Sequence, residues 1–321
     1  MPDWSALSFV FDTLTPIFLV LALGAALRAS GLLSESFAAT LNTFIFWVAL
    51  PCLLFDTISG SAFQPACFSA SGVLLLTTLV IAVIAWFGAD WMGIGRASRG
   101  AFCQSVFRSN NAYVGLPIIL FATEDRPDAA AILSLATLIL VPCLILYNVL
   151  AVLALTPRTT GTDGTIARVS WLSILRGIVT NPLIVSCVAG ALALAADVHP
   201  PKGIARTIES LGSLSGPGAM IALGASLTRE RLCSAWRPAH LATAFKLILC
   251  PLIGWGLSVL WGLNHDARFV CLVYLACPTA VASFVMAQAM NGDSVLAAGT
   301  VAVSTVYSCV ALSVVLLLAG G

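Results

Sequence analysis

The chain has 321 residues, of which 60% are hydrophobic and 9% charged, with a formal net charge of +1. A soluble domain carries about 25% charged residues, so this composition excludes a water-soluble globular protein, a disordered chain, a collagen and a disulfide-rich module. Near-zero net charge excludes nucleic acid as a partner, and continuous apolar stretches exclude an alternating β-barrel.

A membrane-spanning helix needs about 20 mostly apolar residues. Runs of that length recur and predict ten spans: 12–29, 36–58, 67–88, 97–122, 129–155, 171–196, 204–227, 238–262, 267–290 and 294–319. The expected fold class is an all-α polytopic membrane protein. The first basic residue is Arg28, so no signal peptide is expected ahead of the first apolar run. The polar stretch from Thr156 to Ser170 reads as a linker and divides the chain into 1–157, a cytoplasmic linker 158–170, and 171–321. Most of the 10 cysteines sit within apolar runs and read as small packing residues.

Basic residues set the topology. With the N-terminus outside, the outer loops carry 4 of them: Arg126, Lys202, Arg206 and Arg268. The inner loops carry 9: Arg28, Arg96, Arg99, Arg158, Arg168, Arg176, Arg229, Arg231 and Arg237. Positive loops remain in the cytoplasm, so both termini are expected to face the periplasm or exterior.

The two halves share a spacing. Pro16, Gly24 and Pro51 recur 166 positions later as Pro182, Gly190 and Pro217. Five spans separate equivalent positions, and five is odd, so the second half is expected upside down relative to the first. Inverted repeats of this kind build secondary transporters, whose substrate sites lie at mid-membrane where interrupted helices meet.

Span 4 reads F-R-S-N-N-A-Y-V-G-L-P from Phe107 to Pro117. Asn110 and Asn111 are polar at membrane depth, and Gly115 and Pro117 weaken the backbone ladder. At the same offset, Ala112 corresponds to Pro278 in span 9. Unwound backbone in a bilayer is tolerated only where it is buried or lines a cavity, so the paired breaks point to a transport site. A broken helix offers free N–H groups that favour an anion, and the asparagine amides add donors without fixed charge. Neither break contains Asp or Glu, which weighs against a cation antiporter.

The fourth-span motif resembles that of the auxin efflux carrier family. So do P-I-F-L-V-L-A-L-G from Pro16, A-L-P-C-L-L-F from Ala49, Asn181-Pro182, M-I-A-L-G-A-S-L from Met220, and C-P-T-A-V-A-S-F-V-M-A-Q-A-M-N-G-D-S from Cys277. The resemblance implies ten helices in a five-plus-five inverted repeat, with broken helices 4 and 9 crossing as in sodium/proton antiporters and bile-acid transporters. It implies elevator-type transport of auxin-like, malate or malonate-class carboxylates, a homodimer, and H+ or Na+ as a coupling ion. The short central linker marks a bacterial-type member. The substrate site implied comprises Asn110, Asn111, Gly115 and Pro117 with Pro278, Thr279, Ser283 and Gln288, the latter in place of a plant-type asparagine. Val114 and Leu116 would be its apolar walls.

Other intramembrane polar residues read two ways. Arg108 attracts the anion or snorkels to the interface. Asp56 accepts a proton in a coupled cycle or is a solvated interfacial carboxylate. Lys246 pairs with headgroups or a neighbouring helix and receives no role. Neither H-E-x-x-H nor a Walker A motif occurs, so no metal, cofactor or enzymatic activity is expected. A membrane scaffold or sensor, and a cation-coupled antiporter of the same fold, are the competing readings.

Overall fold

The computed structural model describes residues 4–60, 66–155, 176, 179–227 and 236–319. The linker predicted over 158–170 and the start of the span predicted over 171–196 lie outside the described residues. The described chain is helical throughout, as an apolar sequence in lipid must be to satisfy its own backbone.

In chain order the helices are α1 (Trp4–Ala29), α2 (Glu35–Ser59), α3 (Ala66–Trp91), α4 (Arg96–Phe107), α5 (Leu116–Thr123) and α6 (Ala129–Leu155). There follow α7 (Pro182–Ala195), α8 (Lys202–Ser213), α9 (Ser215–Ser226), α10 (Arg237–Leu260), α11 (His265–Ala276), α12 (Ala282–Ala289) and α13 (Ser294–Ala319). Six of these, α1, α2, α3, α6, α10 and α13, are long and apolar enough to cross a bilayer. The spans expected over 97–122 and 267–290 are each broken, into α4 with α5 and α11 with α12. Two expectations need correction. The first helix begins at Trp4 rather than at position 12, and the span expected over 204–227 divides at Leu214, three residues before Pro217.

Local chemistry explains the ends. Ser34, Asn181 and Asn264 cap α2, α7 and α11, each side-chain oxygen accepting a backbone N–H of the first turn. Prolines explain three wide turns of π geometry, at Ile45–Ala49, Asn111–Gly115 and Phe245–Leu249. Each is followed at the same distance by a proline: Pro51, Pro117 and Pro251. Proline has no N–H to donate and its ring crowds the carbonyl one turn back. The preceding residue instead reaches five back: the N–H groups of Leu50, Leu116 and Cys250 bond the carbonyls of Ile45, Asn111 and Phe245.

The helices form two groups. In one, α1 packs on α9, and α2 packs on α7 and α8. In the other, α3, α4, α6, α10, α11, α12 and α13 pack on one another, with α5 on α6. The groups touch through α1 against α5 and α13, α6 against α2 and α7, and α9 against the wide turn Asn111–Gly115. Small residues bring the first group close. A Cβ on Gly24 would lie 2.4 Å from the Ile221 carbonyl oxygen, and one on Gly190 would lie 3.1 Å from that of Phe55. Where aqueous loops meet, Arg126 bonds Asp128 at 2.8 Å and Asp266 at 2.9 Å. That hydrogen bond from Arg126 holds the Asp128 carboxyl below the usual carboxylate range.

Candidate functional site: the helix crossing

The two broken spans meet at their breaks. Helix α4 ends at Phe107, and Arg108 turns to an extended conformation, with φ −86° and ψ 103°. The Asn110 N–H donates to the Pro278 carbonyl at 2.8 Å, and the Ala280 N–H donates to the Arg108 carbonyl at 3.0 Å. Ser109 and Thr279 thus form one antiparallel bridge, a single rung joining two unwound segments. The bridge satisfies backbone groups that unwinding would otherwise leave bare in a buried setting.

Side chains complete the knot. The Thr279 hydroxyl donates to the Ser105 carbonyl at 2.7 Å, and its N–H donates to the Ser304 hydroxyl of α13 at 3.0 Å. Gln104 Nε2 donates to the Ser283 carbonyl at 3.1 Å, tying α4 to the start of α12. Gly115 lets the second half of the first broken span approach α11; a Cβ there would lie 2.7 Å from Tyr274 Cδ1 and 2.9 Å from Cys277 Sγ.

Two cations reach this knot. Arg108 is 7% exposed; its Nη2 donates to Asn148 Oδ1 at 2.9 Å and its Nη1 approaches Met286 Sδ at 2.8 Å. It does not snorkel. Lys246 is fully buried, and its Nζ donates to the Ser109 hydroxyl and, at 3.2 Å, to the Leu275 carbonyl. Among the described residues neither cation has a carboxylate partner. Burying a charge without a counter-charge is costly, so the pair marks a place where negative charge is wanted.

Several polar atoms are buried with no hydrogen-bond partner: Gln104 Oε1, Ser105 Oγ, Asn110 Nδ2, Asn111 Oδ1 and Ser283 Oγ. Such atoms are rare in a folded interior and each demands an explanation. These five, of nine such side-chain atoms among the described residues, lie at or beside the breaks, whereas Arg99 Nε, Ser134 Oγ, Thr243 Oγ1 and Arg268 Nε lie elsewhere. The N–H groups of Asn111, Ala112 and Tyr113 precede Val114, the first to bond back to the Asn110 carbonyl, so they too have no acceptor within their helix. Asn110 and Asn111 are 6% and 2% exposed, so the crossing is closed to solvent. The large groove of about 810 Å³ lies elsewhere, between α10 and α13, lined by apolar residues such as Leu252, Trp255 and Val310. Its lining has few of the convergent polar groups that fix a solute, so it is not the candidate site.

The sequence matches the "Membrane transport protein" family over residues 9–316. The chain belongs to that family. It is the auxin efflux carrier family whose motifs the sequence carries. An uncharacterized transporter of Methanothermobacter thermautotrophicus is 26% identical, over 94% of this chain and 95% of its own length. An uncharacterized transporter of Methanocaldococcus jannaschii is 21% identical, over 94% and 96%. A Rhizobium meliloti protein named "Putative malonate transporter" is 25% identical, over 84% and 82%. Family membership and the long apolar helices make this an integral membrane protein of transport type.

Against this family background, the predicted site residues divide. Asn110, Asn111, Pro278, Thr279 and Ser283 meet at or beside the crossing, and Gly115 and Pro117 shape its approach. Val114 and Leu116 are buried next to them. Gln288 lies near the far end of α12 and is exposed, away from the crossing. Asp56 is exposed on α2, in the other helix group. Sequence reasoning gave Lys246 no role, yet the structure buries it against the bridge. The signal was available: a lone lysine inside the apolar run F-K-L-I-L-C-P.

Proposed function

We propose that the protein is a secondary carrier of small organic carboxylates that binds its substrate at the crossing of the two broken spans. One observation carries the reading. Two buried cations, Arg108 on one unwound segment and Lys246 reaching in from α10, meet free helix-start amides and unpartnered asparagine atoms, with no carboxylate partner among the described residues. Such a place attracts an anion and repels a cation. Asn110 Nδ2 and the free amides would hold the carboxylate, Arg108 would supply charge, and Val114 and Leu116 would pack against the carbon skeleton. The relative named for malonate is consistent with this class.

A five-plus-five inverted repeat is part of the proposal. It is supported by a reciprocal contact: Gly24 abuts the carbonyl of Ile221, and Gly190, 166 positions on, abuts that of Phe55, 166 positions back from Ile221. The two bonds of the crossing are reciprocal as well, joining Asn110 to Pro278 and Ala280 to Arg108. Helices α4 and α11 have 12 residues each, and α5 and α12 have 8 each. The division into two helix groups fits an elevator movement. In that movement the group holding α4, α5, α11 and α12 carries the closed site past α1, α2, α7, α8 and α9.

An inside-negative potential expels anions, by about 2.3 kcal/mol per charge per 100 mV. Export therefore needs no coupling ion, whereas import would need a proton or sodium ion. The test is uptake into proteoliposomes with labelled malonate, malate and indole-3-acetate. Saturable flux of at least one is expected, reduced at least tenfold by Asn110→Ala. Absence of flux for every carboxylate would refute the reading; undiminished flux in Asn110→Ala would remove that residue from the site.

A further inference from the structure

We propose that the Lys246 ammonium occupies the position of a coupling cation at the crossing, so that the carrier binds its carboxylate without sodium. The inference rests on the carboxylate reading above and concerns what balances the charge.

In crossings of this kind the starts of half-helices face the anion, and their ends, with unwound carbonyls, hold the cation. The negative ends belong to α4 and α11, each worth about half an elementary charge. Both already face a basic side chain. Arg108 is itself the C-terminal cap of α4. Lys246 donates to the carbonyl of Leu275, in the last turn of α11, and to the Ser109 hydroxyl; Cys250 Sγ lies 4.0 Å away. A carbonyl and a hydroxyl are the ligands a hard cation would choose, and an ammonium has three donors with which to take them.

Other carbonyls at the crossing are spent too, two on the unwound segments and two in the adjoining turns of α4 and α12. That of Arg108 accepts from Ala280, that of Pro278 from Asn110, that of Ser105 from Thr279, and that of Ser283 from Gln104. Sodium seeking any of these four carbonyls would have to displace its donor, and it would sit near two positive side chains. The unpartnered side-chain acceptors there, Gln104 Oε1, Asn111 Oδ1, Ser105 Oγ and Ser283 Oγ, are neutral oxygens. Lys246 is therefore a positioning and charge-compensating residue that need not touch the substrate. Its placement is fixed by the wide turn Phe245–Leu249 ahead of Pro251.

The experiment measures malonate binding to purified protein by calorimetry, in sodium chloride and in choline chloride. Wild type is expected to bind equally in both, within about twofold. Lys246→Met is expected to lose at least tenfold in affinity, and Lys246→Arg to recover most of it. A wild-type affinity that tightens tenfold or more in sodium would overturn the proposal even if Lys246→Met failed to fold. So would a folded Lys246→Met that binds as wild type does. If wild type bound no carboxylate in either salt, the carboxylate reading itself would fall, and this inference with it.

Discussion

At the scale of single residues, Arg108 sets function against stability. Its guanidinium is buried, and among the described residues its side-chain hydrogen-bond partners are a neutral amide and a thioether. Desolvating such a charge costs more than those contacts return. Arg108→Gln, which keeps a donor near Asn148 and removes the charge, is therefore expected to melt at the same temperature as wild type or higher. It is expected to lose at least tenfold in carboxylate affinity. Paired melting and calorimetry check both halves. A variant that melted much lower and bound normally would make Arg108 a structural residue. Asn110 and Asn111 were legible from the sequence because two amides at membrane depth have no bland partner in lipid. Arg108 was only half legible. A long basic side chain near a span end reaches the interface as easily as the interior, and only the positions of Asn148 and Met286 decide which.

At the scale of helices, the decisive device is the proline that follows each wide turn. Pro117 cannot bond the Tyr113 carbonyl, so the Leu116 N–H reaches back to Asn111 and one extra residue enters the turn. That extra residue sets the direction in which Asn110 and Asn111 project relative to α5. Pro117→Ala restores a donor and allows the turn to regularise. Helix content by circular dichroism should hold, while carboxylate affinity should fall at least tenfold. Pro51→Ala serves as the control, since its turn lies in α2, in the other helix group, and affinity should stay within about twofold. A loss in both variants would point to general damage and not to site geometry. The breaks could be read from Gly115, Pro117 and Pro278, because those residues cannot continue a regular ladder. The register within the breaks could not. The halves ahead of the break start 169 positions apart, at Arg96 and His265, and those after it 166 apart, at Leu116 and Ala282. A fixed offset of 166 therefore matches Pro278 with Ala112, whereas the reciprocal bonds of the bridge match its accepting carbonyl with that of Arg108, 170 positions earlier. The division at Leu214 was hidden for a similar reason: Pro217 sits among small residues that also suit an unbroken packing helix.

At the scale of the molecule, the proposed ten crossings and the distribution of basic residues make one joint claim about orientation. An even number of crossings places both termini on one side. The 9 arginines assigned to one set of loops, against 4 basic residues on the other, predict that this side lies away from the cytoplasm. The count fixes sameness, and the charge, read on the loops that count defines, fixes direction. Orientation also fixes which way the half-helices point. With the N-terminus outside, α4 runs outward from the cytoplasmic face to the crossing, and α11 runs inward from the outer face to meet it. An anion arriving from either side then encounters the same arrangement of amides, which a carrier with alternating access requires. Alkaline phosphatase fused after Ala319, or ahead of α1, should be active, and a green fluorescent protein fused at either place should stay dark. One active and one inactive terminus would break the even count and with it the inverted repeat. Two termini in the cytoplasm would keep the repeat and reverse the direction in which the crossing faces.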